Sequence, residues 1–283
     1  MFKSTLKLLG IVILLLVSFI YTDKVTRAAK DNDSLMSEVI NYKKKNDVKP
    51  VEPIINGDEA ILGYSGVSID KEKSYKQMKK INKFLKEQIV YNTKMPNNTI
   101  SDMCNYYIMG GNPSNKSISI VFYVRSDTNL KKMLKKLDDI NIKAAFFVDG
   151  SWLENNIDKA FAITNSKHEL YNLGYNGVYD KKHINKINKL IENISLEKSN
   201  YCIKNVKNNT EKKVCASRNM NYIIPTLYNP NITDFKQKLD KGIIISYDLE
   251  QVDIKNINLI INSALSKGYS IKPLKEVLNE KKD

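Results

Sequence analysis

The order of patterns between residues 117 and 175 constrains this chain most. Residues 117–124 form an apolar run of mostly β-branched and aromatic residues (Ile118, Ile120, Val121, Phe122, Tyr123, Val124). Leu130, Leu134, Leu137 and Ile140 then recur at helical spacing among lysines. A second apolar run at 142–148, a second helix-like segment and the stretch 167–175 follow. Strand, helix, strand, helix in that order predicts βαβ units on a parallel sheet. Strands that are apolar at nearly every position predict a sheet covered by helices.

The residues also carry a resemblance. Asn-Ile-Lys-Ala-Ala-Phe-Phe-Val-Asp-Gly-Ser-Trp (141–152) and Lys-His-Glu-Leu-Tyr-Asn-Leu-Gly-Tyr (167–175) resemble the polysaccharide deacetylases, the NodB-homology carbohydrate esterases. The stretch 264–278 resembles that family's last helix, strand and closing helix. The resemblance covers roughly residues 116–280. It implies an α/β fold, a distorted parallel (β/α) barrel of NodB type, with any active site at the C-terminal strand ends.

Active members of that family hold a divalent metal with one Asp and two His, and use a second Asp as base and a late His as acid. The metal polarises the acetamide carbonyl and acidifies a bound water, and the protic groups move protons. In this sequence Tyr123 and Val124 stand at the paired-aspartate positions, and Arg125 where a spaced variant puts its metal Asp. Leu173 and Gly177 stand at the two ligand-histidine positions, and His168 matches only a non-ligand histidine. The Arg-Pro-Pro motif is absent, with Tyr201 to Lys204 the nearest text, and the late strand offers Tyr247 and Asp248 in place of the acid. His183 lies beyond the motif. The implied enzyme is therefore a degenerate one with no metal set. A rebuilt zinc site would have to recruit Asp127, Glu169 and Asp248. Asp127 also reads as a helix N-cap. Trp152, Asn172, Tyr175 and Tyr247 are candidates for a sugar groove, although aromatic residues beside a sheet more often seal helix against strand. Tyr179 and Tyr201 share that reading.

The chain carries 45 Lys+Arg against 31 Asp+Glu, and only Arg27, Arg125 and Arg218 are arginines. Nucleic-acid readers rely on arginine for bidentate contacts, so no nucleic-acid partner is expected. Lysine excess suits anionic wall polymers or lipid headgroups, and equally reflects genome composition. Lysines flank the apolar run 8–21, which is short for a membrane span and near the length of a signal core. An uncleaved single-pass anchor and a cleaved signal both carry the body out of the cytoplasm. Cys104, Cys202 and Cys215 have no metal-ligand spacing. Cys202 and Cys215 flank a lysine- and asparagine-rich segment read as a hairpin, and both a disulfide and two free thiols remain open.

Four segments are expected: an anchor or signal at 1–22, a polar linker at 23–56, an N-terminal subdomain at 57–115 and the deacetylase-like domain at 116–283. The leading functional expectation is a membrane-anchored, extracytoplasmic, catalytically silent deacetylase-like protein binding or scaffolding cell-wall glycan. An active carbohydrate N-deacetylase with a rebuilt site, and a domain that binds a protein partner in an envelope or sporulation complex, are the alternatives.

Overall fold

The computed structural model describes residues 11–22, 24 and 33–281. The chain divides into two compact units, one holding residues up to Lys49 with Val67–Lys94, the other Pro50–Gly66 with everything from Met95. Residues 11–22 are helical with their apolar side chains exposed. Among the described residues no helix is long and apolar enough to cross a membrane. Residues 1–10 of the expected anchor or signal lie outside the described residues.

In the smaller unit the described part of the expected linker, residues 33–49, is built around a helix, and residues 23 and 25–32 of that linker lie outside the described residues. A helix spans Ser34–Asn46, capped by Asp33, which accepts from the Leu35 N–H at 2.9 Å. Its Leu35, Met36 and Val39 pack with Ile69, Tyr75, Met78 and Ile89. Three apolar residues on one helical face suffice when a second helix, Lys71–Lys79, supplies the other half of the core. That low apolar density is why the segment reads as a linker in the sequence.

The strands β3 (Gly66–Ile69) and β4 (Tyr91–Lys94) pair with each other. The larger unit is built on two sheets. β1 (Ile54–Asn56), β2 (Glu59–Ile61), β5 (Tyr107–Gly110), β10 (Asn221–Ile223) and β9 (Tyr201–Ile203) are adjacent in that order. The second sheet runs β11 (Leu227–Tyr228), β12 (Ile244–Asp248), β6 (Ser117–Val124), β7 (Ala145–Val148), β8 (Glu169–Asn172), with β13 (Ser270–Ile271) also on β6. Every pairing in the second sheet is parallel, as the βαβ pattern predicts.

All eight positions of β6 are buried because both of its faces are covered. Ile118, Ile120, Phe122 and Val124 meet the helices, joined by Phe146, Leu170 and Tyr247. Val121 and Tyr123 face the other way, into an interior shared with Phe147, Tyr171, Leu173, Ile203, Ile223 and Ile244. That interior collects residues from both sheets and is the core of the distorted barrel. Outside it, the helix Leu130–Asp139 buries Leu130, Met133, Leu134 and Leu137 at i, i+3, i+4, i+7 and turns its lysines to solvent.

Two local readings differ from the structure. The segment 204–213 is no hairpin, since β9 and β10 are parallel and the helix Asn209–Ala216 crosses between them. Asn208 starts that helix by accepting from the Thr210 and Glu211 N–H groups at 3.1 and 3.2 Å. A disulfide joins Cys202 on β9 to Cys215 on this helix. Likewise Asn129, in the left-handed region, occupies the N-cap of the helix Leu130–Asp139 in place of Asp127.

Candidate binding site at the barrel mouth

The parallel register sets the chemistry at the C-terminal strand ends. Asp248, the last residue of β12, lies directly opposite Tyr123 of β6. Arg125, just past the end of β6, therefore reaches the Asp248 carboxylate and forms an ion pair with it. Asp248 is 5% exposed, and its second oxygen accepts from the Glu250 N–H at 3.1 Å. The Arg125 guanidinium also stands 5.6 Å from the centroid of the Tyr123 ring. Tyr228, partly exposed, stacks on Tyr123 with centroids 6.3 Å apart and planes at 23°. Asn205 ties the layer together, since its Oδ1 accepts from the Tyr123 hydroxyl at 2.8 Å and the Ser246 hydroxyl at 3.2 Å. Burial pushes the Tyr123 phenol far above its ordinary range.

The β7–β8 side is equally engaged. Asp149 caps the helix Gly150–Asn155, accepting from the Ser151 N–H at 2.9 Å and its hydroxyl at 2.6 Å. The same carboxylate accepts from the N–H groups of Asn176 and Gly177 at 3.2 and 2.6 Å. Lys204 donates to the Gly177 carbonyl and lies over the Tyr179 ring, 5.2 Å from its centroid. Burial lowers its ammonium pKa. Gly174 makes the turn after β8 with φ +97°, and a Cβ there would stand 2.6 Å from the Val178 carbonyl oxygen.

These residues do not fit a divalent cation. Arg125 brings a positive charge already paired with the buried Asp248, the buried Asp149 is taken up by the N–H groups of Ser151, Asn176 and Gly177, and Leu173 is fully buried in the apolar interior. Among the described residues no three His, Cys, Asp or Glu side chains gather closely enough to hold a metal. The three carboxylates a rebuilt site would recruit stay apart. Asp127 is exposed and bound by the Trp152 indole N–H at 3.0 Å and by Lys159. Glu169 opens β8, three strands across from Asp248 and two residues lower in the ladder. At about 4.8 Å per strand the sideways component alone is roughly 14 Å.

Glu169 serves the other end of the barrel. It accepts from the Leu274 and Lys275 N–H groups at 2.7 and 3.1 Å, capping the last helix. Burial raises its carboxyl to about 7. Its neighbour His168 accepts the Ala144 N–H on Nδ1 at 3.2 Å and packs on Phe146. Burial lowers this imidazole to about 4. His168 is thus a structural hydrogen-bonder.

The expected sugar-groove residues do not gather into one groove. Trp152 is 6% exposed and packs in the helix-facing core, and Tyr247 is 2% exposed on the same face beside Phe122. Asn172 is fully buried and donates to Asn188 at 2.7 Å while its oxygen accepts the Gly174 N–H. Tyr201 packs edge-on against Tyr171, and burial pushes its phenol up to about 12. Tyr175 alone of the four is partly exposed, stacked on His183 at 4.3 Å with its hydroxyl on Glu154. Asn205 and Tyr228 went unread. Nothing in the sequence distinguishes Asn205 from other loop asparagines, and Tyr228 reaches the mouth only because β11 pairs with β12.

Comparison with solved structures identifies the architecture. Wild-type BA3943 of Bacillus anthracis, a CE4 family pseudoenzyme, aligns over 89% of this chain and 97% of its own, with TM-score 0.67 and 22% identity. The fold is that of the polysaccharide deacetylases. A BA3943 mutant with restored enzymatic activity aligns over 89% of this chain and 100% of its own, with TM-score 0.68 and 22% identity. The Bc1960 peptidoglycan N-acetylglucosamine deacetylase aligns over 62% of this chain and 95% of its own, with TM-score 0.54 and 16% identity. The uncharacterized protein YlxY of Bacillus subtilis is 33% identical over 156 residues, 54% of this chain and 49% of that protein. The match thus spans about half the length of that relative. No family model matches the sequence. The degenerate motifs of this deacetylase-like chain agree with its likeness to the CE4 pseudoenzymes.

Proposed function

We propose that this chain is a catalytically silent protein on the polysaccharide-deacetylase fold that binds or scaffolds cell-envelope carbohydrate. The observation that carries the reading is the Arg125–Asp248 ion pair. A guanidinium stands where the resembled family keeps a metal carboxylate, and it neutralises the buried Asp248. Without a Lewis acid, water near pH 7 is a poor nucleophile, and His183, which stacks on Tyr175, is engaged by the Asp180 carboxylate. BA3943 supports the reading as a CE4 family pseudoenzyme of the same fold. The Bc1960 deacetylase supports glycan as the ligand class, since it acts on peptidoglycan N-acetylglucosamine. The partly exposed Tyr175 and Tyr228 rings offer faces on which a sugar can stack.

The proposal includes an extracytoplasmic location, through an anchor or a cleaved signal. Two observations support it: the apolar run at 8–21 and the disulfide between Cys202 and Cys215, a bond that persists in oxidising compartments.

The test measures acetate release from peptidoglycan and N-acetylglucosamine oligomers in Zn²⁺, Co²⁺ and chelator arms, with bound metal quantified on the same sample. Retention on insoluble peptidoglycan is measured alongside. The expected result is retention without acetate release. Metal-dependent release overturns the silent reading, and failure to be retained on glycan or wall polymer overturns the binding reading in favour of a protein partner.

A further inference from the structure

The charge excess of this chain is concentrated in its smaller unit. Residues 33–49 and 67–94 carry twelve lysines against six carboxylates, an excess of six. The far longer remainder, residues 50–66 and 95–283, has an excess of only five. Part of the smaller unit's charge is neutralised internally, with Lys43 on Asp47, Lys73 on Asp70 and Lys79 on Asp33. Among the described residues Lys76, Lys80 and Lys83 have no carboxylate partner, and all three are exposed. They follow one another along the end of the helix Lys71–Lys79 and the turn after it. Ile81 stands among them half exposed, and a shallow depression of about 490 Å³ opens between Lys73, Tyr75, Lys76, Lys79 and Lys80, with Glu72 the one carboxylate in its lining.

We infer that this lysine face of the smaller unit binds the headgroups of an anionic bilayer, a second membrane contact beside the apolar run at 8–21. The inference rests on the anchor in the proposed function. Ten residues lie between Thr22 and Asp33, so the chain joining them reaches at most about 40 Å, which keeps this unit within reach of the lipid phosphates of an anchoring bilayer. Lysine stems and an exposed isoleucine suit the interface, where ammonium groups meet phosphate and apolar atoms reach the acyl boundary. A dissolved polyanion gives no such use to Ile81, and that favours lipid over wall polymer.

The test compares the full-length chain with its K76Q/K80Q/K83Q variant in vesicle co-sedimentation. Vesicles are phosphatidylcholine alone or phosphatidylcholine with phosphatidylglycerol. The apolar run and its own flanking charges are identical in both proteins, so the difference reports the three lysines. Each lysine near an anionic surface is worth about fivefold in partitioning. The variant is expected to lose at least about tenfold of the preference for phosphatidylglycerol vesicles, and high salt is expected to remove the preference from the unmodified chain. An unchanged preference in a variant with unchanged circular dichroism overturns the inference. Equal binding to soluble poly(glycerol phosphate) also overturns it, reassigning the face to wall polymer. Absence of binding to neutral vesicles speaks against the anchor instead, so the two failures are distinguishable.

Discussion

Arg125 and Asp248 are bound to each other across the ends of two adjacent parallel strands, and the pair is asymmetric: Asp248 is buried while the Arg125 side chain is 37% exposed. The two partners are therefore unequal in what their loss leaves behind. Arg125→Met strands a buried carboxylate and is expected to cost about 2 kcal/mol, below the usual value for a fully buried pair because solvent reaches the guanidinium. Asp248→Asn leaves a cation free to turn to water and is expected to cost about 1 kcal/mol or less. The double variant is expected to recover part of the loss. Urea midpoints of the four proteins check this, and a larger cost for Asp248→Asn than for Arg125→Met counts against the pairing as described.

The same mouth predicts what metal installation requires. Arg125→Asp alone sets a second carboxylate beside Asp248 without adding a histidine, so zinc is expected to leave its thermal midpoint unmoved. Leu173→His and Gly177→His added to it supply imidazoles, and zinc is then expected to raise the midpoint of the triple variant. The triple variant should be less stable without zinc, because Leu173 belongs to the apolar interior and Gly177 has φ +75°. Calorimetry with and without zinc reads both effects. A zinc-dependent rise in the unmodified chain would contradict the misfit described for its mouth.

His168 and Glu169 are adjacent, buried and shifted in opposite directions, and their pH effects oppose. Glu169 rises from an ordinary 4.5 to about 7, so the folded chain holds more protons than the unfolded one in that window. Its contribution falls as pH rises from about 4.5 to 7. His168 drops from 6.5 to about 4, so the unfolded chain holds more protons and stability rises with pH across that window. The two slopes largely cancel between about pH 4.5 and 6.5. Glu169→Gln is expected to unmask a rise with pH, and His168→Gln a fall, each of up to about 1 kcal/mol per pH unit. Urea unfolding at several pH values gives the slopes, which are independent of the packing cost of each substitution.

The disulfide ties β9 to a helix that otherwise hangs on few apolar residues. Cys202 and Cys215 are 13 residues apart, and a loop of that length is worth about 3 kcal/mol in chain entropy. Reductant is expected to lower the urea midpoint of the unmodified chain by as much as the C202A/C215A double variant loses. The double variant itself should be insensitive to reductant. A reductant effect that persists in it would point to another cause.

The sequence by itself determined the alternation of strands and helices, the parallel sheet and the loss of the family's ligand set. These are local quantities: period-2 and period-3.6 patterns record which faces are buried, and a motif records its residue types wherever it folds. The register alone decided the rest. Trp152, Asn172 and Tyr247 share chemistry with sugar-binding residues, yet one-residue steps along their elements turn them toward the helices. Glu169 and Asp248 are both acids of the barrel, yet the ladder separates them, and Arg125 meets Asp248 over 123 residues of chain because β6 and β12 are neighbours. The packing partners of the helix at Ser34–Asn46 were not legible for a related reason, since its apolar face is narrow and its partner lies on another segment of the chain. Side-chain chemistry is written in the sequence, whereas convergence is a property of strand order and parity, which pairing between distant segments creates.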